Sequence, residues 1–292
     1  MTYTRERDVG GGYTKTLVRE HGAMHQFGSL PSLATVADDV LTGHLWLTEY
    51  LAGGHLRFQM QPSGLLQFGD RTTVYDDSEA LPPQYRLAVR SVREQFDREA
   101  FRATDIDPSA VVFHGVATFS TGFAYDWDRL PSFVGHDVWV SDAEQYRPPD
   151  AVDTIFDTLG LEAVNTIARE RRARDFDPTT YTVPPSAWGD RTAAGVVVRN
   201  KTTGRGVIWP DTPPTSHAPH ETDPETLVTE FVTPARLDRI AATIAPPVTV
   251  EQLATRVHEH LWHEVFGSII EAEPPVALDV IRQECRTHLA AD

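Results

Sequence analysis

Four short segments between residues 45 and 75 constrain the fold most. Apolar and polar residues alternate within each segment, and Gly or Pro-Ser-Gly separates one segment from the next; they read HLWLTEYL, HLRFQM, GLLQFG and TTVY. A period of two gives a strand one apolar face, and short glycine-containing turns join neighbouring strands in antiparallel fashion. This part of the chain is therefore predicted to form antiparallel strands joined by tight turns.

The middle of the chain predicts a helix and further strands. Apolar residues recur near helical spacing from Pro82 to Thr104, and proline opens the run. The segments AVVFHGVATF (110–119) and HDVWVS (136–141) have the composition of buried strands, and AAGVVVRN (193–200) is rich in β-branched residues. A mixed α/β body follows from this alternation of elements.

Helical patterns appear around 151–159 and 163–174, and again throughout the chain after Pro234. Thr249 precedes the pattern TVEQLATRVHEHLWHEVFGSII at the position of an N-cap. The segment 210–224 is rich in Pro, Thr, Asp and His, which indicates a loop or linker. We therefore expect a main domain, residues 1–235, followed by a small helical domain, residues 236–292.

The charge balance favours a folded, acidic protein of a salt-rich environment. The chain of 292 residues has 42 Asp and Glu against 26 Lys and Arg, a net charge of -16, and a hydrophobic fraction of 40%. Lys15 and Lys201 are the only lysines. Excess carboxylates suit concentrated salt, which screens their repulsion. The same balance argues against nucleic-acid binding driven by net charge, so such binding would need a local arginine cluster.

The sequence predicts no metal site and no membrane segment. Cys285 is the only cysteine, and no apolar run is long enough for a signal peptide or a membrane span, so the cytoplasm is the expected compartment. In HEHLWHE, the residue four positions after His258 is Trp262, so the His-Glu-x-x-His zinc motif is absent. On a helix, Glu259 and His263 lie one turn apart, which suits a structural pair.

One arginine-rich stretch, ARERRARDF (168–176), supports two interpretations. It is typical of a solvated helix face paired with Glu170 and Asp175, and it is also the best local patch for phosphate groups in so acidic a chain. The candidate nucleic-acid patch consists of Arg169, Arg171, Arg172 and Arg174.

The order of five segments carries a resemblance to a known family. LTEYLAGGHLRF, VFHGVATF, FAYDWDRLPSFVGHDVWV, AAGVVVRN and LVTEFVTPARL resemble, in sequence and spacing, the nucleotidyltransferase motifs of ATP-dependent RNA ligases of the phage double-strand-sealing type. The resemblance covers roughly residues 27–237. It implies the ATP-grasp-like α+β nucleotidyltransferase domain of RNA and DNA ligases, with antiparallel sheets and a small helical C-terminal domain.

The positions that the family uses for chemistry hold other residues here. The family's first motif is Lys-x-Asp-Gly, in which the lysine attacks the α-phosphate of ATP to give lysyl-AMP. The resemblance places five such positions, predicted to converge on one pocket, at Tyr50, Ala52, Val116, Ala194 and Glu230, with Thr229 as the alternative to the last. The nucleophile, the metal-site carboxylates and the phosphate-binding lysine are all replaced, so no catalytic residue and no metal site are expected.

The framework of the family's pocket is retained. The resemblance implies a nucleotide-binding pocket formed by Glu49, Tyr50, Gly53, Arg57, Gly115, Asp137 and Arg199. Turn-forming glycines and apolar strand residues persist while the charged positions change, which indicates that the chain is still required to fold as the family does.

Three functions remain open at this stage. The leading hypothesis is a catalytically inactive ligase-fold protein, without a cofactor, that binds RNA or nucleic-acid ends or partners an active ligase or repair protein. The second is an active RNA ligase with a diverged nucleophile, or one that uses a pre-adenylylated substrate, and it would require ATP and Mg²⁺ or metal alone. The third is a regulatory protein without a nucleic-acid ligand.

Overall fold

The computed structural model describes residues 24–77, 80–202, 204–211, 224–269 and 275–291. It is a mixed α/β structure with two antiparallel sheets. The strands are β1 (His44–Glu49), β2 (Gly54–Met60), β3 (Leu66–Gly69), β4 (Val74–Tyr75), β5 (Val111–Ala117), β6 (Phe133–Val140), β7 (Gln145–Tyr146), β8 (Thr166–Arg172), β9 (Val196–Asn200) and β10 (Arg205–Ile208).

Helices cover one sheet and form the C-terminal region. Most of the predicted linker 210–224 lies outside the described residues. The α-helices are α1 (Leu33–Val40), α2 (Arg86–Gln95), α3 (Arg98–Arg102), α4 (Pro149–Thr158), α5 (Pro224–Phe231), α6 (Pro234–Ala241), α7 (Val250–Ile269) and α8 (Pro275–Leu289).

The two sheets divide the predicted strands between them. A six-stranded sheet has the order β4-β3-β2-β5-β6-β7, and a four-stranded sheet has the order β10-β9-β1-β8. The predicted antiparallel pairing is confirmed for β2, β3 and β4. β1, however, pairs with β8 and β9 in the other sheet. The chain therefore crosses from one sheet to the other at residues 50–53, directly after β1.

Two predicted helices differ from the structure. The pattern 82–104 forms a short 3-10 turn, Pro83–Tyr85, then α2 and α3. α2 ends at Gln95 because Asp97 caps α3, where its carboxylate accepts hydrogen bonds from Glu99 N at 3.0 Å and Ala100 N at 2.8 Å. Residues 166–172 are strand β8 rather than helix, because pairing with β1 outweighs the local preference of an arginine-rich segment.

The main core lies between the six-stranded sheet and helices α2, α3 and α4. Phe58 and Phe113 stack with ring centroids 4.9 Å apart, and Phe156 of α4 approaches Phe113 edge-on at 6.0 Å. A second core lies under the four-stranded sheet and includes Leu45 and Val198. Burial of these side chains from the apolar face of each sheet is the main source of stability.

The helical region has its own core and also docks on the main body. Its buried residues begin at Val228 in α5, before the predicted boundary at residue 235. The predicted N-cap of α7 is confirmed: Thr249 Oγ1 accepts from Gln252 N at 3.3 Å, and Gln252 Oε1 accepts from Thr249 N at 3.0 Å. In the described parts of the chain, we find no helix with the length and apolar character needed to cross a bilayer.

Two residues of α7 hold the helical region against the sheet. Glu259 accepts two hydrogen bonds from the Arg90 guanidinium, both at 2.6 Å. His263 Nε2 lies 3.2 Å from Thr118 Oγ1. The predicted pairing of Glu259 with His263 is therefore replaced by two contacts to the main body, because both side chains are buried in the interface rather than exposed along the helix.

Candidate functional site

A cleft that is partly open to solvent lies between the two sheets. It forms where the chain leaves β1 in one sheet and enters β2 in the other. The side chains around it come from both sheets and from the segment before α1. Its lining residues are Phe27, Leu30, Thr48, Glu49, Tyr50, Leu51, Gly53, Gly54, His55, Arg71, Val116, Val134, His136, Asp137, Pro149, Val152, Asp153, Val164, Val197, Arg199 and Arg205.

Backbone contacts fix the crossing segment 50–53 at the cleft. Tyr50 N donates to Gly195 O at 2.9 Å, and Ala52 N donates to Tyr125 Oη at 2.8 Å. A Cβ atom on Gly53 would lie 2.5 Å from the carbonyl oxygen of Ala117, which is too close for any side chain. Glycine is therefore required at residue 53 by backbone packing alone.

Four of the five substituted motif positions share one apolar cluster at the cleft. Ala194 is a buried member of this cluster, and Tyr50, Ala52 and Val116 pack against it. Tyr50 and Val116 also line the cleft. Glu230 lies on α5 with an exposed side chain and does not line the cleft. Tyr50 and Val116 thus line the cleft, Ala52 and Ala194 pack in the cluster beside it without lining it, and Glu230 belongs to the helical region.

Trp209, which sequence reasoning missed, lies beside Tyr50. Ile208 of β10 pairs with Val196 of β9, so the next residue of β10 extends toward the end of β1. The Trp209 ring contacts the Tyr50 ring in an edge-to-face arrangement with centroids 4.9 Å apart. Trp209 is 48% exposed and is not among the residues that line the cleft.

Asp137 lies between two arginines and joins the two sheets. Arg199 Nη1 donates to Asp137 Oδ1 and Arg205 Nη1 donates to Asp137 Oδ2, each at 2.7 Å. The arginines are Cα partners on β9 and β10, whereas Asp137 belongs to β6. Burial by itself would raise the pKa of the Asp137 carboxyl, but the two guanidinium groups hold that pKa well below its usual value.

Glu49 is buried and its carboxylate is bound by neutral donors. Ser186 Oγ donates to Oε1 at 2.5 Å, and Ala187 N and Asn165 Nδ2 donate to Oε2 at 3.0 Å and 3.2 Å. Both oxygens of this cleft carboxylate are therefore occupied by hydrogen bonds from the protein.

Histidines surround Phe27 on the cleft face of the six-stranded sheet. The Phe27 ring lies 5.3 Å from His55, 5.5 Å from His114 and 4.7 Å from His136, measured between centroids. Burial lowers the pKa of His55 to about 2 and lowers that of His114 well below its usual value. His55 and His114 are therefore neutral near pH 7 and add no positive charge to the cleft.

The predicted pocket residues divide into lining and supporting groups. Of the residues that the resemblance implies for a nucleotide-binding pocket, Glu49, Tyr50, Gly53, Asp137 and Arg199 line the cleft. The other two lie below its surface: Arg57 is fully buried and donates to Met24 O at 2.9 Å, and a Cβ atom on Gly115 would lie 2.4 Å from the Phe133 ring.

Several lining residues were missed by sequence reasoning. His55 lies two residues after Gly53, and residues two apart in an extended chain face the same side. The alternation of β2 could therefore have predicted that His55 faces the cleft. Arg205 opens β10 after a glycine, and only its pairing with Arg199 reveals its place in the site. Arg71 and His136 carry no pattern that distinguishes them from other surface or strand residues.

The predicted arginine patch lies on β8, an edge strand, and on the 3-10 turn that follows it, Ala173–Asp175. Local partners engage part of the patch. Arg169 Nη2 donates to Asp153 Oδ2 at 2.6 Å, and Arg174 is 3.8 Å from Asp175. The Arg171 guanidinium lies over the Phe176 ring at 4.8 Å.

The described residues do not fit the metal site that nucleotidyl transfer uses. Across the described ranges, no three His, Cys, Asp or Glu side chains are grouped so that they could hold a metal ion. The cleft carboxylates Glu49 and Asp137 each have both oxygens engaged by protein donors. These hydrogen bonds orient the two carboxylates toward groups of the protein.

Comparison with known proteins supports the fold. No family model and no curated protein matches the chain. A variant of the Naegleria gruberi RNA ligase with ATP and Mn is similar to it, with a TM-score of 0.51 and 12% identity over 69% of this chain and 64% of that one. Another variant of that ligase with ATP and Mn gives a TM-score of 0.50 and 12% identity over 65% and 56%. The chain spans less than two thirds of these ligase structures. It therefore has a mixed α/β fold similar to the nucleotidyltransferase fold of RNA ligases.

Proposed function

We propose that this chain is a ligase-fold protein that binds RNA or nucleic-acid ends and forms no covalent adduct with a nucleotide. The observation that carries the proposal is Tyr50, which lines the cleft directly after β1, where the family resemblance puts a nucleophilic lysine. No lysine is among the lining residues, and Lys201 instead lies 3.2 Å from Asp150.

The surroundings of Tyr50 also argue against its use as a nucleophile. A hydroxyl nucleophile needs a base within hydrogen-bond reach to accept its proton. Among the described residues, Tyr50 Oη has no hydrogen-bond partner, and the ring instead packs against Trp209 and the cluster that contains Ala194. Tyr50 thus has the contacts of a packing residue.

The charged groups of the cleft support the same proposal. Nucleotidyl transfer depends on cations that stabilise charge developing on the phosphates. Here Arg199 and Arg205 are bound to Asp137, and every carboxylate oxygen of Glu49 and Asp137 already accepts a hydrogen bond from the protein. We therefore assign neither ATP nor Mg²⁺ to this chain as a cofactor.

The arginine patch is the candidate surface for RNA. β8 is an edge strand, so Arg171, Arg172 and Arg174 lie on an exposed border of the four-stranded sheet. Arg172 forms no ion pair with any described residue. Guanidinium groups bind phosphates in a planar, bidentate manner, and Arg171 is already held over the Phe176 ring.

The first experiment tests for covalent chemistry. Purified protein is incubated with labelled ATP and Mg²⁺ or Mn²⁺, and adducts are sought by gel and mass spectrometry. We expect no protein-AMP, and we also expect none from Tyr50→Lys, because the cleft residues that would bind metal and phosphates are engaged within the protein. An adduct on Tyr50 or on a lysine, or sealing of a pre-adenylylated nick by the unmodified chain, would contradict the proposal.

The second experiment tests for RNA binding. Fluorescence anisotropy with labelled single-stranded RNA is measured over a range of salt concentrations. Joint replacement of Arg171, Arg172 and Arg174 by Gln should weaken RNA binding by about tenfold or more. The slope of the logarithm of the binding constant against the logarithm of the salt concentration should become less steep by about 0.7 for each phosphate that the variant no longer binds. Arg282→Gln is the matched control, since this arginine of α8 is paired with Glu251. Equal binding by both variants would exclude the patch, and no binding by the unmodified chain would favour a regulatory role without nucleic acid.

A further inference from the structure

We propose that α7 carries an acid-sensitive contact, formed by His258 and His263, that releases the helical region from the main body when both side chains take up protons. The helical region consists of α5, α6, α7 and α8. Both histidines belong to the segment HEHLWHE, which lacks the His-Glu-x-x-His zinc motif. Their helix joins the two parts of the molecule, since α7 packs against α2 and the 3-10 turn Pro83–Tyr85 of the main body and also against α5, α6 and α8.

The hydrogen bonds of His263 leave one ring nitrogen without a partner. Thr118 Oγ1 donates its only proton to Pro131 O at 2.6 Å, so it accepts from His263 Nε2, which lies 3.2 Å away. His263 Nδ1 is therefore the unprotonated nitrogen, and it is buried without a hydrogen-bond partner among the described residues. A second proton would have to bind to this nitrogen, where no group accepts it, so docking favours neutral His263.

The groups around His263 come mainly from the main body. Ser120 N donates to His263 O at 2.7 Å, and the Trp127 ring contacts the imidazole edge-on with centroids 4.8 Å apart. Burial, followed by the neighbouring His260, lowers the pKa of His263 to about 3. Release of the helical region would expose the imidazole to water, so a proton on His263 favours the released state.

His258 is held in the other tautomer. Its Nε2 accepts a hydrogen bond from Trp262 Nε1 at 2.9 Å, so a proton on this nitrogen would face the indole N–H and break the bond. Burial, followed by Arg86 at the start of α2 and Arg282 of α8, lowers the pKa of His258 to about 4. Release would separate His258 from Arg86 and from the surface of the main body, which makes its protonation easier.

His260, which lies between these two histidines in the sequence, is not part of the contact. It faces three arginines and one carboxylate, namely Arg236, Arg239, Arg256 and Asp128. Burial, followed by the three arginines, lowers the pKa of His260 to about 4. The arginines belong to α6 and α7 and therefore stay with His260 after release. Its protonation should change docking less than protonation of the other two histidines.

Ion pairs across the docking surface respond in a different pH range. Three pairs join the helical region to the main body: Arg90 with Glu259, Arg256 with Glu94, and Arg239 with Asp128. Asp and Glu side chains ordinarily take up protons near about pH 4, whereas exposed histidines do so near about pH 6.5. Docking that requires neutral histidines is complete above about pH 6.5 and weakens as pH falls, by up to about tenfold per pH unit for each histidine.

Small-angle X-ray scattering of the full chain, at constant salt and from about pH 8 to about pH 4.5, measures docking. We expect the radius of gyration to rise below about pH 6 while the far-UV circular dichroism is retained, because each part has its own core. The docking constant should fall by up to about a hundredfold per pH unit, which is tenfold for each histidine. A constant radius of gyration, or a rise that coincides with loss of the far-UV signal, would overturn the inference.

Glutamine variants remove the proton-binding group but keep its hydrogen bond. In His263→Gln the amide nitrogen can donate to Thr118 Oγ1, and in His258→Gln the amide oxygen can accept from Trp262 Nε1. Each change should reduce the fall of the docking constant by up to about tenfold per pH unit, and the double variant should remain docked at about pH 5. His44→Gln is the matched control, because His44 is exposed on β1. Release of the double variant at the same pH as the unmodified chain, or release of either single variant at about pH 8, would contradict the proposed contact.

Discussion

The two faces of the six-stranded sheet are built from adjacent residues but have opposite chemistry. On one face, Phe58 of β2 and Phe113 of β5 stack under the helices. On the other, the preceding Arg57 and the following His114 are equally buried but polar. Alternate side chains of each strand therefore lie on two different faces: an apolar face that packs in the core, and a polar face on which charged groups pair with other groups of the protein.

Substitutions on the two faces also reduce stability for different reasons. An apolar side chain that is truncated leaves a cavity, whereas a buried charge whose partner is removed remains as an uncompensated charge. On the polar face, Asp137 binds Arg199 and Arg205 and so holds the two sheets together. Four substitutions test this difference.

The largest effect is expected on the apolar face. Phe113→Ala should lower the free energy of unfolding by about 3–5 kcal/mol, because it removes a ring that contacts Phe58 and Phe156. Denaturant unfolding, with salt held constant, measures this change. Leu65→Ala, a change at a side chain exposed to 72%, should stay within about 0.5 kcal/mol. Similar losses for both variants would show that this face is not the main core.

The next effect is expected on the polar face. Asp137→Asn should cost about 3 kcal/mol of unfolding free energy, the low end for a broken buried pair, because Arg199 is left buried without its carboxylate while Arg205 still reaches solvent. The control is Asp153→Asn, whose partner Arg169 is largely exposed and which should cost less than about 1 kcal/mol. Equal costs would mean that Asp137 does not join the sheets.

The alternation that creates the two faces could be read from the sequence, whereas the site could be predicted only in part. Tyr50, Gly53 and Asp137, which line the cleft, were implied by the family resemblance and not by the alternation of any strand. The segment 163–174 was assigned the wrong element, since an arginine-rich run favours a helix until a strand such as β1 is available to pair with it.

Trp209 and Arg205 show what could not be predicted. β10 is a strand of four residues that contains a glycine, so it has no alternation of its own. Its place beside Tyr50 arises only from antiparallel pairing with β9, a contact that depends on three-dimensional structure. The resemblance implied Glu230, or Thr229, at the family's phosphate-binding position, and both residues lie on α5.

The third prediction uses pH to separate the two faces. Burial lowers the pKa of His55 to about 2 in the folded chain, while the unfolded residue has a pKa of about 6.5. The stability that neutral His55 supports is complete above pH 6.5 and is lost as pH falls, because only the unfolded state binds the proton. His55→Phe should therefore reduce the dependence of unfolding free energy on pH below 6.5 by up to about 1.4 kcal/mol per pH unit.

Phe113→Leu is the control for the pH experiment, since it alters the apolar face and no titrating group. It should lower stability by the same amount at every pH between 5 and 7. Chemical denaturation at several pH values in this range gives the slopes. If the slope of unfolding free energy against pH were unchanged in His55→Phe, His55 would have to be protonated in the folded chain. The polar face would then carry a positive charge on a buried histidine, contrary to the neutral state inferred for His55.

The smallest effect is expected for Glu49, which is buried like Asp137 but held by neutral donors. Glu49→Gln keeps one oxygen to accept from Ala187 N and Asn165, while its amide can face Ser186 Oγ, so the loss should be about 1 kcal/mol. Glu49→Ala should cost more, because the buried Ser186 Oγ and two partly buried donors lose their acceptor. Denaturant unfolding of both variants checks this order. If Glu49→Gln lowered the free energy of unfolding as much as Asp137→Asn, the negative charge of Glu49 would itself be required, and Glu49 would have to face a cation. If Glu49→Gln left that free energy unchanged, the hydrogen bonds described for Glu49 would be wrong, and its carboxylate would be available for a ligand.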